Sequence, residues 1–234
     1  MPPGPVAGVI LAGGRSRRMG GENKALLPLA GEPMLSHVIR RVEPQVSQLS
    51  LSVEQSSDVF EAFGLPQLPD KQPDGGPLGG LLAGLQWMDP ACDWLLLVPC
   101  DAPFVPTDLA RKLYQSANGS GLAGALVRYE QEAQPTFSLW HRSVLPELEV
   151  AIHAKGMSGF KQFLREVRLV ERDWPPARRS PFFNINDQQA LLEAGQLIRL
   201  HDSQSAHFSL SRVHAASYFL SGTLPTAAAV TEKI

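Results

Sequence analysis

The run WLLLV at Trp94–Val98 constrains the fold more than any other stretch of the chain. Five consecutive apolar residues between Asp93 and Pro99 are too few for a helix, so they read as a strand. A strand apolar on both faces must be covered on both, which puts it at the centre of a parallel sheet between layers of helices. Ala7 to Leu11 repeats the pattern and runs into the tight loop Ala12-Gly13-Gly14. Leu49 to Val53 and Gln67 to Pro69 read as further strands. From Met34, apolar Leu35, Val38, Ile39, Val42 and Val46 recur at helical spacing, with Arg40, Arg41 and Glu43 between them. Asp58 to Phe63 reads as a short helix. Leu78 to Met88 reads as a longer one with small residues at Gly79, Gly80, Ala83 and Gly84. Each glycine costs a helix up to about 1 kcal/mol, so they imply close packing or backbone approach to a ligand.

Past Pro99 the spacing predicts helices over Leu109 to Ala117, Val144 to His153, Phe160 to Val167 and Asp187 to Ala194. Strands are expected at Gly124 to Tyr129 and Thr136 to Trp140, close enough in sequence for mixed or antiparallel pairing. Strands alternating with helices predict an α/β chain: one doubly wound, mostly parallel sheet flanked by helices, Rossmann-like. At 234 residues one substantial core is expected. Residues 1–200 would form it, and residues 201–234 read as a loosely docked extension, Ser/Ala/Thr-rich and weakly periodic.

The charge balance excludes whole classes of partner. With 21 Lys and Arg against 23 Asp and Glu the net charge is −2, so neither nucleic acid nor an acidic membrane surface is an expected partner. Cys92 and Cys100 are the only cysteines, too few for a disulfide framework. The N-terminal stretch lacks a signal-peptide pattern. No apolar run approaches the roughly 20 residues that span a bilayer. The chain reads as cytoplasmic.

The chemistry concentrates in LAGGRSRRMGGENK, Leu11 to Lys24, with four glycines and four basic residues (Arg15, Arg17, Arg18, Lys24) against one acid, Glu22. A glycine-rich turn after a strand lets backbone amides face a ligand, and the cations suit a triphosphate. Without the strand in front, a solvated basic loop would be an equal reading. Neither GxxxxGK[ST] nor GxGxxG is present. Asp101, in Val98 to Pro103, sits at the C-terminal end of the central strand, where open α/β sheets bind ligands. One carboxylate plus phosphate oxygens suits Mg²⁺; a loop cap is the plainer role. Gly76 and Gly80, in a glycine-rich helix entrance, fit either a tight helix contact or amides reading a ligand. Asn184 and Asn186, in FNIND, fit side-chain amides near metal or phosphate, while Asn186 or Asp187 would also cap the next helix. Cys100 reads as a packing residue. No hydrolase elbow or zinc-ligand spacing occurs.

Taken together, LAGGRSRRMGGENKALLPLAGEP, GPLGG, PCDAPF, QPTFSLW and FNIND, spread over residues 6–195, resemble the molybdenum cofactor guanylyltransferase family. The resemblance implies transfer of GMP from GTP to the terminal phosphate of molybdopterin, with release of pyrophosphate. LAGG in place of LAAG looks like the guanylyl branch. The resemblance places Leu11, Ala12, Gly13 and Gly14 on the nucleotide, Arg18 and Lys24 on its phosphates, Ser52 and Asp70 on the guanosine, and Mg²⁺ on Asp101. It also implies transient contact with molybdoenzyme apoproteins or other proteins of the cofactor pathway. The family normally has Asn where this chain has Ser52 and Asp where it has Asn23, and Lys155 to Phe160 differs from the family's arginine-bearing stretch. The competing readings are a cytidylyl- or sugar-phosphate nucleotidyltransferase of the same fold, and a non-catalytic carrier of the pterin cofactor.

Overall fold

The structure is a computed structural model that describes residues 4–13, 23–70 and 76–200. The extension expected at residues 201–234 lies outside the described residues. In chain order the strands are β1 (Val6–Leu11), the two arms of a short hairpin, β2 (Pro28–Leu29) and β3 (Glu32–Pro33), then β4 (Gln48–Val53), β5 (Gln67–Pro69), β6 (Trp94–Pro99), β7 (Gly124–Tyr129), β8 (Glu132–His141) and β9 (Val170–Asp173). The helices are α1 (Met34–Val42), α2 (Asp58–Glu61), α3 (Gly76–Trp87), α4 (Leu109–Ala117), α5 (Leu145–Glu149) and α6 (Phe160–Phe163), followed by a last one over residues 188–200. Among the described residues no helix is long and apolar enough to cross a membrane.

Seven strands form one sheet in the order β5-β4-β1-β6-β8-β7-β9. β5, β4, β1 and β6 run parallel, β8 is antiparallel to β6 and β7, and β9 lies parallel to β7. The mostly parallel sheet expected from the Trp94–Val98 run is what forms, with β6 in its middle. Side chains alternate across it. Val6, Ile10, Leu96 and Val98 enter the core with α1 and α4, while Ala7, Val9, Leu95 and Leu97 enter the core with α3 and α5.

The glycines of α3 are explained by that second face. A Cβ at Gly84 would lie 2.8 Å from Leu95 Cδ2 and 3.0 Å from Val9 Cγ1. One turn earlier, a Cβ at Gly80 would lie 2.3 Å from Leu11 Cδ2 and 2.7 Å from Ser52 Oγ. The helix therefore rests its backbone on β1, β4 and β6, closer than any side chain would permit.

Several elements depart from the sequence expectation, each for a local reason. β8 begins at Glu132, four residues before the expected Thr136. Pro135 argues against a strand there, yet it is accommodated because the β7–β8 register shifts between Leu126 and Val127. The hairpin turn that precedes it uses Glu130 and Gln131, both at positive φ (50° and 67°), a composition that carries no turn signal. The helix expected over Val144 to His153 is divided into a 3₁₀ turn (Arg142–Val144), α5 and a π-helical turn (Val150–Ala154). β9 and the β2–β3 hairpin were not expected; both are short and half-exposed, so neither shows a clean alternation. The last helix starts as anticipated, with Asp187 Oδ1 accepting from the Ala190 amide at 2.8 Å, and runs six residues past Ala194.

Candidate active site

β1 and β6 are neighbours in register, with Leu11 opposite Pro99, so the residues after each emerge side by side at one edge of the sheet. The tips are tied together: the Cys100 amide donates to Leu11 O (3.1 Å) and the Ala12 amide to Ser52 O (2.7 Å). Gly13 lies against the backbone at the end of β4, since a Cβ there would sit 3.1 Å from the Glu54 amide nitrogen. Gly14 and Arg18 lie outside the described residues.

Three residues far apart in sequence meet at this edge. Lys24 Nζ stands 3.1 Å from Asp101 Oδ2 and donates to Asn186 Oδ1 at 2.5 Å. The Lys24 and Asp101 side chains are 18% and 14% exposed, so the pair is nearly dry. The segment carrying Asn186 is held in place by the Ile185 amide, which donates to Asp101 O at 2.9 Å. Burial raises the Asp101 carboxyl above the ordinary carboxylate range, and the charge of Lys24 with its hydrogen bond pulls it part of the way back. Cys100, fully enclosed beside it, has its thiol pushed far up by burial first and the Asp101 charge second. It is a packing residue, as its position suggested.

Lys24 owes its place to Asn23, noted above only as a departure from the family's usual Asp. Asn23 donates from Nδ2 to Ala12 O at 3.0 Å and accepts at Oδ1 from the Ala25 amide at 2.9 Å. One amide side chain thus joins the end of β1 to the 3₁₀ turn Lys24–Leu26. A carboxylate could accept from Ala25 but could not donate to Ala12. The available signal was an N-cap residue type directly before the motif lysine.

Asp101 Oδ1 is buried and has no hydrogen-bond partner among the described residues, and the same holds for Asn184 Oδ1. Uncompensated buried oxygens of this kind are costly, and a cation is the partner a carboxylate oxygen lacks. No group of three or more His, Cys, Asp or Glu among the described residues could hold a metal. The donor set therefore fits a hard divalent cation that takes one carboxylate and draws its other oxygens from phosphate and water.

A second cluster lies across β1. Leu11, Ser52, Asp70 and the α3 glycines meet there. A Cβ at Gly79 would stand 2.9 Å from both carboxylate oxygens of Asp70, and the Asp70 amide donates to Val53 O at 2.8 Å. Gly76 belongs to a different contact. Its φ is 53° and a Cβ would fall 2.6 Å from Ser158 O, which also accepts from the Leu78 amide at 3.3 Å. The helix entrance at this point packs against a protein carbonyl and leaves no room for a side chain. Gly80→Val is expected to cost about 1–3 kcal/mol by crowding Leu11 and Ser52. Gly80→Ala should cost less. Thermal melts of the two variants would check this.

A family profile described as the MobA-like NTP transferase domain matches residues 8–171. A molybdenum cofactor guanylyltransferase from Bradyrhizobium sp. (strain ORS 278) is 35% identical over 201 residues, 84% of this chain and 95% of that protein. One of the same name from Serratia proteamaculans is 43% identical over 188 residues, 80% of this chain and 92% of that protein. Among solved structures, the molybdopterin-guanine dinucleotide biosynthesis protein A of Archaeoglobus fulgidus superposes with a TM-score of 0.69 at 21% identity, covering 82% of this chain and 98% of that one.

Proposed function

The chain belongs to the MobA-like NTP transferase family, and from that premise we infer that it transfers GMP from GTP to the terminal phosphate of molybdopterin, releasing pyrophosphate. The observation that carries this reading is the meeting of Lys24, Asp101 and Asn186 at the joined tips of β1 and β6. A cationic turn beside a half-satisfied buried carboxylate is what a bound triphosphate requires, and a protein that only carried a cofactor would need neither.

The reaction asks little covalent chemistry of the protein. An oxygen of the acceptor's phosphate attacks the α-phosphorus of GTP, a new P–O–P link forms, and the bond to the bridging β-oxygen breaks. Its electron pair leaves on pyrophosphate. The attacking group is already an anion, so catalysis consists of in-line placement and charge neutralisation. Arg18 and Lys24 balance the charge that grows on the leaving group. Leu11, Ala12, Gly13 and Gly14 lie along the nucleotide, and Ser52, Asp70 and Gly80 take its guanosine end. Nucleotidyltransferases of this family generally use a divalent metal. In our reading it is Mg²⁺, held by Asp101 with Asn184 and Asn186 close by, and when bound it polarises the phosphate oxygens. Residues 1–200 carry the activity, with 201–234 as an extension, and the product passes to molybdoenzyme apoproteins in the cytoplasm through transient contacts.

Pyrophosphate release, measured over GTP and CTP against molybdopterin and a sugar phosphate, tests the whole reading. Turnover should appear only with GTP and molybdopterin. Binding alone gives a cheaper check. With Mg²⁺, GTP at a hundredfold excess over its Kd should stabilise the protein by about 2.7 kcal/mol. CTP should do much less, and an equal or larger shift with CTP would remove the guanylyl assignment.

A further inference from the structure

A sizeable cleft lies away from the Lys24–Asp101 pair. It has a volume of about 810 Å³ and opens on the flank of the domain, between α1, the loop after Asp101, the segment before Asn184 and the last helix. Its size is that of a small-molecule site. The floor is apolar, with Phe104, Phe183 and Leu197 facing it.

The polar part of the lining is cationic and under-used. Arg41 is half-buried, yet among the described residues the one hydrogen bond from its guanidinium is long, 3.4 Å from Nη1 to Val105 O. A guanidinium carries five donors, and a half-buried one keeps them away from water. Arg179 also lines the cleft, and it has no ion-pair partner among the described residues. Of the other charged groups in the lining, Arg40 is paired with Glu32, and the acid Glu193 accepts a hydrogen bond from Gln189. Two arginines therefore remain for a ligand in a protein whose net charge is −2.

Arginine forks bind carboxylate or phosphate in bidentate fashion, and phenyl rings favour a flat apolar partner. We propose that this flank cleft binds a small organic anion with a planar aromatic body, its charge held by Arg41 and Arg179 and its ring laid on Phe104 and Phe183. An inorganic anion would leave the apolar floor wet, and a neutral aromatic would leave the arginines unpaired. The proposal does not rest on the guanylyl reading, because neither Lys24 nor Asp101 lines the cleft.

The test uses two fluorescent probes that differ by one charged group: 8-anilinonaphthalene-1-sulfonate and its uncharged parent, N-phenyl-1-naphthylamine. The full chain should bind one equivalent of the sulfonate, and the parent about tenfold more weakly, the worth of a charge-assisted hydrogen bond. Arg179→Gln should lose about the same factor for the sulfonate and nothing for the parent. Arg179 is exposed, so circular dichroism and Tm should not change. Arg41→Gln should lose at least as much. Saturating GTP with Mg²⁺ should leave the bound sulfonate in place. Equal affinity for the two probes, unchanged binding in Arg179→Gln, or full displacement by GTP would each overturn the proposal. None of these readouts needs turnover, so they fail or succeed separately from the activity test.

Discussion

Asp101→Asn is expected to lower turnover by about 10³-fold or more while raising the melting temperature of the nucleotide-free protein. The two effects share one cause. Asp101 is buried with one oxygen unpartnered, and burial holds its carboxyl above the ordinary range. A group whose pKa is raised by folding favours the folded state when protonated. That contribution is fully present below the unfolded carboxylate value and is lost as pH rises through the folded one. Above the folded pKa of Asp101 the folded protein therefore carries a desolvated charge that the unfolded chain keeps in water. Asparagine removes the charge, keeps the shape and still offers Lys24 an oxygen. In a chain of this size each kcal/mol relieved is worth about 2–4 °C. The gain should shrink at acid pH, where the parent carboxyl is protonated in both states. Adding Mg²⁺ and GTP should stabilise the parent more than the variant and narrow the difference from the other side. Retained turnover in a well-folded Asp101→Asn protein would move the metal to another residue. A lower Tm at neutral pH would mean that the pair with Lys24 outweighs the desolvation.

How much of this was legible in the sequence follows from the range of each interaction. The Trp94–Val98 run needed no partner to be read, because five apolar residues in a row exclude most alternatives. The α3 glycines announced close packing, though their contacts, Leu11 and Ser52 for one and Val9 and Leu95 for another, come from other strands. Lys24 and Asp101 were readable as separate motifs at two strand ends. Their meeting at 3.1 Å depended on β1 and β6 being adjacent and in register, which only the fold decides. The remaining misses are tertiary in origin. β9 acquires its pairing from β7, and its four residues carry no apolar pattern of their own. Pro135 enters a strand because a register shift makes room for it. Ser158 reaches the start of α3 across some 80 residues of chain, and no local signal could have linked it to Gly76. Asn23 was locally visible as a cap, but its second bond, to Ala12, joins residues 11 positions apart whose approach the sequence does not reveal.

Lys24→Met should reduce kcat by about 10²–10³-fold while changing the KM for GTP by less than tenfold, as the proposed action of its charge on the leaving pyrophosphate requires. The structure adds a second expectation that a simple phosphate contact would not. Among the described residues Lys24 is the cation that lowers the Asp101 carboxyl, through both its charge and its hydrogen bond at 3.1 Å. With methionine in its place, only a backbone hydrogen bond still opposes burial and the carboxyl rises further. A metal needs the deprotonated form, so the acid limb of the kcat/KM profile should move to higher pH in the variant. Lys24→Arg separates the two roles. It keeps the positive charge, so the acid limb should stay near the parent's, but a planar fork replaces a compact ammonium in the narrow space between Asp101 and Asn186. Its kcat should stay well below the parent's even though its pH profile matches. If Lys24→Met keeps the parent's acid limb, then Asp101 does not control that limb, and the ion pair between the two strand tips is not what tunes the metal-binding carboxylate.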